Sequence, residues 1–192
     1  MKNIQGSKTE KNLLKSFAGE SQARTRYTFF ASVAKKEGYE QISSIFTETA
    51  DNEKEHAEVF FKYLKYGQPL EITATFPAGK IGVTEENLLA AAEGENEEWS
   101  KLYKEFGEIA KQEGFDDVAA SFINISKVEK HHEERYRKLL ENLKNGKVFE
   151  KTEIIKWKCR NCGYIHEGNS APDACPSCKH PKAYFEILAD NF

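Results

Sequence analysis

The sequence predicts a mainly α protein: a four-helix bundle with a long crossover between its second and third helices, followed by a small β-rich module. Three observations predict it. Four stretches place apolar residues at alternating spacings of three and four, the signature of packed helices. A connection rich in Gly and Pro separates the second stretch from the third. After Lys147 the helical period stops, and all four cysteines fall between Cys159 and Cys178. The expected domains are residues 1–147 for the bundle and 148–192 for the module.

The first helix is expected from about Thr9 to Glu37, with a seam of Leu13, Phe17, Glu20, Arg24, Tyr27, Ala31 and Ala34, and Gly38 stops it. The second runs from about Tyr39 to Tyr66. Its seam of Ile42, Phe46, Thr49, Glu53, His56, Phe60 and Tyr63 puts Glu53 and His56 at core positions. Gly67 and Pro69 end it.

Residues 67–83 have no helical period. Fully extended they reach at most ~60 Å, whereas a helix of this size is ~42 Å long, so the link can cross the bundle end to end. Thr84 is the expected N-cap of the third helix, with acids in its first turn. Its seam reads Leu88, Ala91, Glu95, Glu98, Leu102, Glu105 and Ile109, and Gly114 breaks it. The fourth helix, about Phe115 to Asn145, has the seam Val118, Phe122, Ile125, Glu129, His132, Tyr136, Leu139 and Leu143. In the module, Ile154–Trp157 and Ala183–Leu188 read as strands.

The two halves of the bundle repeat. Ala34-Lys35-Lys36-Glu37-Gly38-Tyr39 matches Ala110-Lys111-Gln112-Glu113-Gly114-Phe115, and Glu53-x-x-His56 returns as Glu129-x-x-His132 at an offset of 76. Gly19-Glu20 matches Gly94-Glu95 at an offset of 75. Residues three apart share a helix face, so each Glu-x-x-His aims a carboxylate and an imidazole at one point. Two such helices, with a Glu from each of two others, form the ligand set of a carboxylate-bridged metal pair. Glu20, Glu53, Glu95, Glu98 and Glu129 sit on inward seams with His56, His132 and one cation, Arg24. Five buried carboxylates repel one another strongly; two divalent or trivalent ions balance them. Oxygen donors with a few imidazoles favour iron or manganese. A lone Glu on a seam, such as Glu105, is ordinarily a solvated residue, and His131 points off the seam. Tyr27 shares a face with Glu20, and Tyr103 has the related place in the second half; each is either a hydrogen-bond donor to a ligand carboxylate or an ordinary core tyrosine.

Cys159-x-x-Cys162 and Cys175-x-x-Cys178 form two knuckles of a tetrahedral site for zinc or one iron. His166 and His180 are then unneeded. A net charge of -3 argues against nucleic acid or an anionic membrane as partner. The apolar runs are far short of a membrane span, and Met1–Asn12 contains no secretory signal. The expected compartment is a reducing cytoplasm.

The order of parts resembles the rubrerythrin family: a ferritin-like bundle, then a rubredoxin-like Cys159-x-x-Cys162-Gly163-Tyr164…Cys175-Pro176-x-Cys178 module. The resemblance covers essentially the whole chain. It implies a non-haem di-iron centre on Glu20, Glu53, His56, Glu95, Glu98, Glu129 and His132, and one iron on the four cysteines. Tyr27 and Tyr103 match the family's tyrosines beside the ligand carboxylates. Glu98 and His56 match a redox switch in which one iron exchanges the carboxylate for the imidazole on reduction. The implied activity is peroxidase: hydrogen peroxide is reduced to water for protection against oxidative stress. The resemblance implies electrons from a separate NAD(P)H-dependent reductase or a rubredoxin; no Gly-x-Gly-x-x-Gly follows a strand, so the chain is not expected to bind a nicotinamide cofactor itself. The family pairs subunits head to tail as homodimers. Rival functions are a ferroxidase or iron-storage protein, a dioxygen-reducing di-iron protein, and a non-enzymatic bundle with a zinc ribbon.

Overall fold

In the computed structural model, which describes residues 3–190, Ser7 starts helix α1 (Lys8–Lys36) by accepting a hydrogen bond from the Glu10 amide. Helix α2 spans Glu40–Tyr63. It ends three residues before the expected Tyr66, as the chain leaves helical angles at Leu64. The ends of the expected domains, residues 1–2 and 191–192, lie outside the described residues. The repeat is visible in the two helix-hairpin turns. Gly38 and Gly114 take the left-handed conformation, at φ 84° and 76°, that a glycine adopts without steric cost. The next amides then reach back alike, Tyr39 to Ala34 at 2.9 Å and Phe115 to Ala110 at 2.8 Å.

The crossover carries no regular structure, as expected, and leads into α3 (Thr84–Glu97). Val83, not Thr84, is the N-cap, and the Thr84 amide donates to the Glu37 carboxylate at 3.0 Å. The expected single third helix is interrupted: a π-turn, Glu98–Leu102, separates α3 from α4 (Tyr103–Gln112). The extra residue shifts the inward face by one position. Tyr103, Phe106 and Ala110 are buried where Leu102, Glu105 and Ile109 were expected, and Glu105 is exposed. Helix α5 (Asp116–Lys144) packs on α3 and α4 as α1 packs on α2. The core has two aromatic-rich clusters, one around Tyr27, Phe46 and Tyr136 and the other around Phe60, Tyr103 and Phe122. The acidic residues lie between them.

Beyond the bundle, β1 (Glu150–Cys159), β2 (Ile165–Ser170) and β3 (Phe185–Ile187) form an antiparallel sheet in the order β2-β1-β3. β1 is longer than expected, β2 was unforeseen, and Lys182–Tyr184 is a 3₁₀ turn rather than strand. Trp157 and Phe185 fill a small core with Cys159 and Cys175. The module meets the bundle at the α1–α2 turn, where Phe149 stacks on Tyr39 with ring centroids 6.1 Å apart.

Candidate metal centre

Glu53 and Glu129 sit at the middles of α2 and α5, three residues before His56 and His132, and face each other across the bundle axis. Their oxygens are divided between two clusters. In the first, His56 Nδ1 lies 3.0 Å from Glu53 Oε2, 2.8 Å from Glu129 Oε1 and 4.0 Å from Glu20 Oε1. In the second, His132 Nδ1 lies 3.2 Å from Glu53 Oε1, 2.9 Å from Glu129 Oε2 and 3.7 Å from Glu95 Oε2. Each cluster therefore has two carboxylates shared with the other, one carboxylate of its own and one imidazole. That is the geometry of two cation sites bridged by Glu53 and Glu129.

The donor set fits metal ions rather than an internal hydrogen-bond network. Glu20 Oε2, Glu53 Oε1, Glu95 Oε2, both oxygens of Glu129 and His132 Nδ1 are buried without a hydrogen-bond partner. The near approaches to His132 are aimed at a common centre instead of along an N–H bond. Charge tells the same story. Burial, and then repulsion by Glu129 and Glu53, raise Glu20 well above the usual carboxylate range. Burial and Glu53 push Glu95 up to about 8. Burial lowers both imidazoles, but the close negative carboxylates of Glu129 and Glu53 outweigh it and bring His56 to about 10 and His132 to about 12. Glu53 is held at about 2, since His132 and His56 overcome its burial. Protons occupy positions that cations would take over.

Two tyrosines brace the carboxylates that are not shared. Tyr27 donates to Glu95 Oε1 at 2.5 Å, and Tyr103 donates to Glu20 Oε1 at 2.5 Å. The pair is crossed: each half of the repeat supports the other half's glutamate. Burial and the adjacent carboxylates raise both phenols well above their ordinary range, so they remain donors.

Glu98 stands apart. Among the described residues it belongs to neither cluster. It lies on the π-turn and lines a cavity of about 350 Å³ with Gly19, Arg26, Tyr103 and the crossover residues Thr73–Pro77. Burial and then Glu95 raise its carboxyl well above the usual range, while Arg26 opposes the rise. Arg26, not Arg24, is the nearby cation: Arg24 is exposed, because Ala23 takes the inward position three residues after Glu20. Sequence reasoning also missed Glu133. It is buried beside His132 and accepts hydrogen bonds from Asn96, Trp99 and Arg137. His131 is exposed.

The second centre is the sheet's end. Cys159 leaves β1, and backbone N–H groups of Gly163 and Lys179 close the two knuckles onto the carbonyls of Cys159 and Cys175 at 2.8 and 2.9 Å. The Sγ atoms are 3.8 Å apart for Cys159–Cys178 and 3.6 Å for Cys162–Cys175, and all four lie within 4.8 Å of one another. Those separations exclude disulfides. They match a tetrahedron of ~2.3 Å metal–sulfur bonds, whose edges are ~3.8 Å. The His180 amide, foremost, lowers Cys178 to about 6. His180 packs its ring on Tyr184 outside the thiolate set.

Comparison with known proteins agrees with this geometry. The family model for rubrerythrin matches residues 11–140, and that for the rubrerythrin rubredoxin-like domain matches residues 157–186. A rubrerythrin of Porphyromonas gingivalis is 62% identical over all of this chain and 95% of its own length. One from Nitratidesulfovibrio vulgaris is 52% identical over all of both chains. A structure of partially reduced nigerythrin superposes with a TM-score of 0.62 at 30% identity, covering 97% of this chain and 89% of the other. Bacterioferritin BfrA of Mycobacterium tuberculosis, at a TM-score of 0.63 over 73% of this chain and 89% of its own, shares 17% identity and shows the ferritin-like fold alone. The two donor sets are thus those of a ferritin-like di-iron centre and a rubredoxin-like Fe(Cys)₄ site. The chain belongs to the rubrerythrin family.

Proposed function

We propose that the chain is a peroxidase, reducing hydrogen peroxide to water with electrons delivered through the Fe(Cys)₄ site. The ligands we assign to the di-iron centre are Glu20, Glu53, His56, Glu95, Glu129 and His132 from the two clusters, with Glu98, outside both, as the ligand that exchanges with His56; those of the single iron are Cys159, Cys162, Cys175 and Cys178. The functional units are residues 1–147 and 148–192. When bound, two ferrous ions supply the two electrons and the two-point grip that cleavage of an O–O bond requires.

One observation carries the reading: the first cluster has a ligand to spare. It is complete with His56, while Glu98 waits on the same side in the cavity beside Gly19, whose added Cβ would lie 3.9 Å from Glu98 Oε1. A neutral imidazole suits the ferrous charge and a carboxylate suits the ferric, so the alternation supports a two-electron cycle without loss of metal. Glu53 and Glu129, which contribute to both clusters, would hold both ions through the cycle. Tyr27 and Tyr103 fix Glu95 and Glu20, so that His56 and Glu98 are the groups that move. An iron-storing protein has no need of the spare ligand or of a fused electron donor.

Electrons reach the bundle from a second subunit. Within one chain the module sits against Tyr39, fourteen residues from Glu53 along α2, which is ~21 Å at the helical rise. A head-to-tail homodimer shortens that path. An NAD(P)H-dependent reductase or a rubredoxin recharges the Cys₄ iron. The four free thiols suit a reducing cytoplasm, the compartment we propose. No helix among the described residues is long and apolar enough to cross a membrane.

The test is stopped-flow oxidation of the anaerobically reduced protein by stoichiometric hydrogen peroxide, followed by the visible absorption of the Fe(Cys)₄ site. Return of colour much faster than with dioxygen is expected. Slower return than with dioxygen would overturn the peroxidase reading in favour of an oxidase or ferroxidase.

A further inference from the structure

The π-turn is held from outside by a group no ligand set uses. Glu133 Oε2 accepts from Asn96 Nδ2 at 2.9 Å and from Trp99 Nε1 at 2.5 Å, while Oε1 accepts from Arg137 Nε at 2.6 Å. Asn96 lies in the last turn of α3, and Trp99 is the second residue of the π-turn. One carboxylate of α5 thus ties down both sides of Glu98. Lys104 and Lys130 lie over the Trp99 ring at 5.2 and 5.7 Å, adding a second restraint.

We propose that Glu133 is a positioning residue: it clamps Asn96 and Trp99 so that the Glu98–Leu102 segment keeps its π register, which fixes the Glu98 backbone and delivers Tyr103 to Glu20. This rests on the proposed function only for its effect on turnover. A π-turn is less favourable than continued α-helix and persists where surrounding contacts select it. Were the segment to relax to α, every residue after it would turn back by one position, about 100°. Leu102 would then take the place of Tyr103, which is 2% exposed and bonded to Glu20 at 2.5 Å. The clamp grips Glu98 on either side without touching its carboxylate, which faces the cavity on the far side of the turn. Backbone fixed and side chain free is what a swinging ligand requires.

The experiment uses iron-loaded, full-length protein and the variant Glu133→Gln, which cannot accept from three donors. Tetranitromethane nitration at Tyr103, read by peptide mass, is expected to rise about tenfold, the shift that loss of a hydrogen bond to a charged group gives a local opening. Trp99→Phe removes one donor and keeps the ring under both lysines; it serves if Glu133→Gln fails to fold, with a smaller rise expected. Unchanged nitration of Tyr103 in the folded variants overturns the proposal, whether or not the protein turns over peroxide. A double-mutant cycle gives the second readout. Glu133→Gln is expected to slow peroxide-driven oxidation about tenfold in the wild type and less than about twofold in a Glu98→Ala background. Equal slowing in both backgrounds means that Glu133 acts by general support and not through Glu98. A wild type inert to peroxide refutes the peroxidase reading alone, and the nitration result still decides the clamp.

Discussion

Removing one hydroxyl, Tyr103→Phe, tests the crossed bracing of the metal ligands. The ring keeps its contacts with Phe60 and Phe122, at centroid distances of 5.5 and 5.7 Å, so almost no cavity forms. What is lost is the donor to Glu20 Oε1, in a site where that carboxylate's other oxygen has no partner either. A hydrogen bond to an ionised group contributes about 1.5–3 kcal/mol, and it counts toward metal binding because iron requires Glu20 ionised. The expected loss of ferrous affinity is therefore about 10–100-fold. It should fall on the ion held with His56, since Glu20 belongs to that cluster alone. Tyr27→Phe should weaken the other ion by a similar factor through Glu95. Competition with a ferrous chelator, followed site by site by Mössbauer spectroscopy, measures both. Iron affinity within about twofold of wild type for both variants would refute the bracing argument.

Three other outcomes follow from the same geometry. Glu98→Ala should bind two irons, because neither cluster includes Glu98, yet reoxidise slowly with peroxide; an unchanged rate rejects its role as the exchanging ligand. Cys159→Ser should leave the di-iron spectrum intact and abolish turnover from an external donor, and normal steady-state turnover would remove the module from the electron path. Metal-stripped protein should lose stability as pH rises. His56, raised from 6.5 to about 10, contributes stability that is complete below 6.5 and gone above 10, and Glu95, raised from 4.5 to about 8, adds a cost that grows over that interval. Glu53, held at about 2, contributes stability lost only in acid, below 4.5. Thermal melts of the stripped protein should therefore peak below pH 7; a melting temperature that climbs from pH 7 to 9 contradicts the charge arrangement.

The bundle was legible because its polar ligands interrupt otherwise apolar seams, and a carboxylate at a core position needs a reason. The cysteine module was legible because four thiols in two knuckles need a metal. Other features were hidden for physical reasons. Spacings of three and four both keep a residue near one helix face, so Arg24 fitted the seam as well as Ala23 until packing chose the smaller side chain. Strand β2 (Ile165–Ser170) has no apolar alternation; backbone pairing to β1 makes it a strand. Glu133 lies off the seam and is buried because Asn96, Trp99 and Arg137 supply donors from two helices. The π-turn is a different case, since its signal was present. Glu20 and Glu95 are 75 residues apart, whereas Tyr27 and Tyr103, like Glu53 and Glu129, are 76 apart. One residue has therefore been added between Glu95 and Tyr103, and the π-turn occupies Glu98–Leu102 in that interval. A helix absorbs one extra residue without breaking only by widening a turn. The widened turn holds Glu98 while leaving Glu95 and Tyr103 equivalent to Glu20 and Tyr27. Half of an otherwise symmetric site thereby carries a carboxylate with no counterpart, since Ala23 stands at the matching position of α1. That unmatched carboxylate lies beside Gly19, next to Glu20, so the proposed exchange would draw it to the ion held with His56.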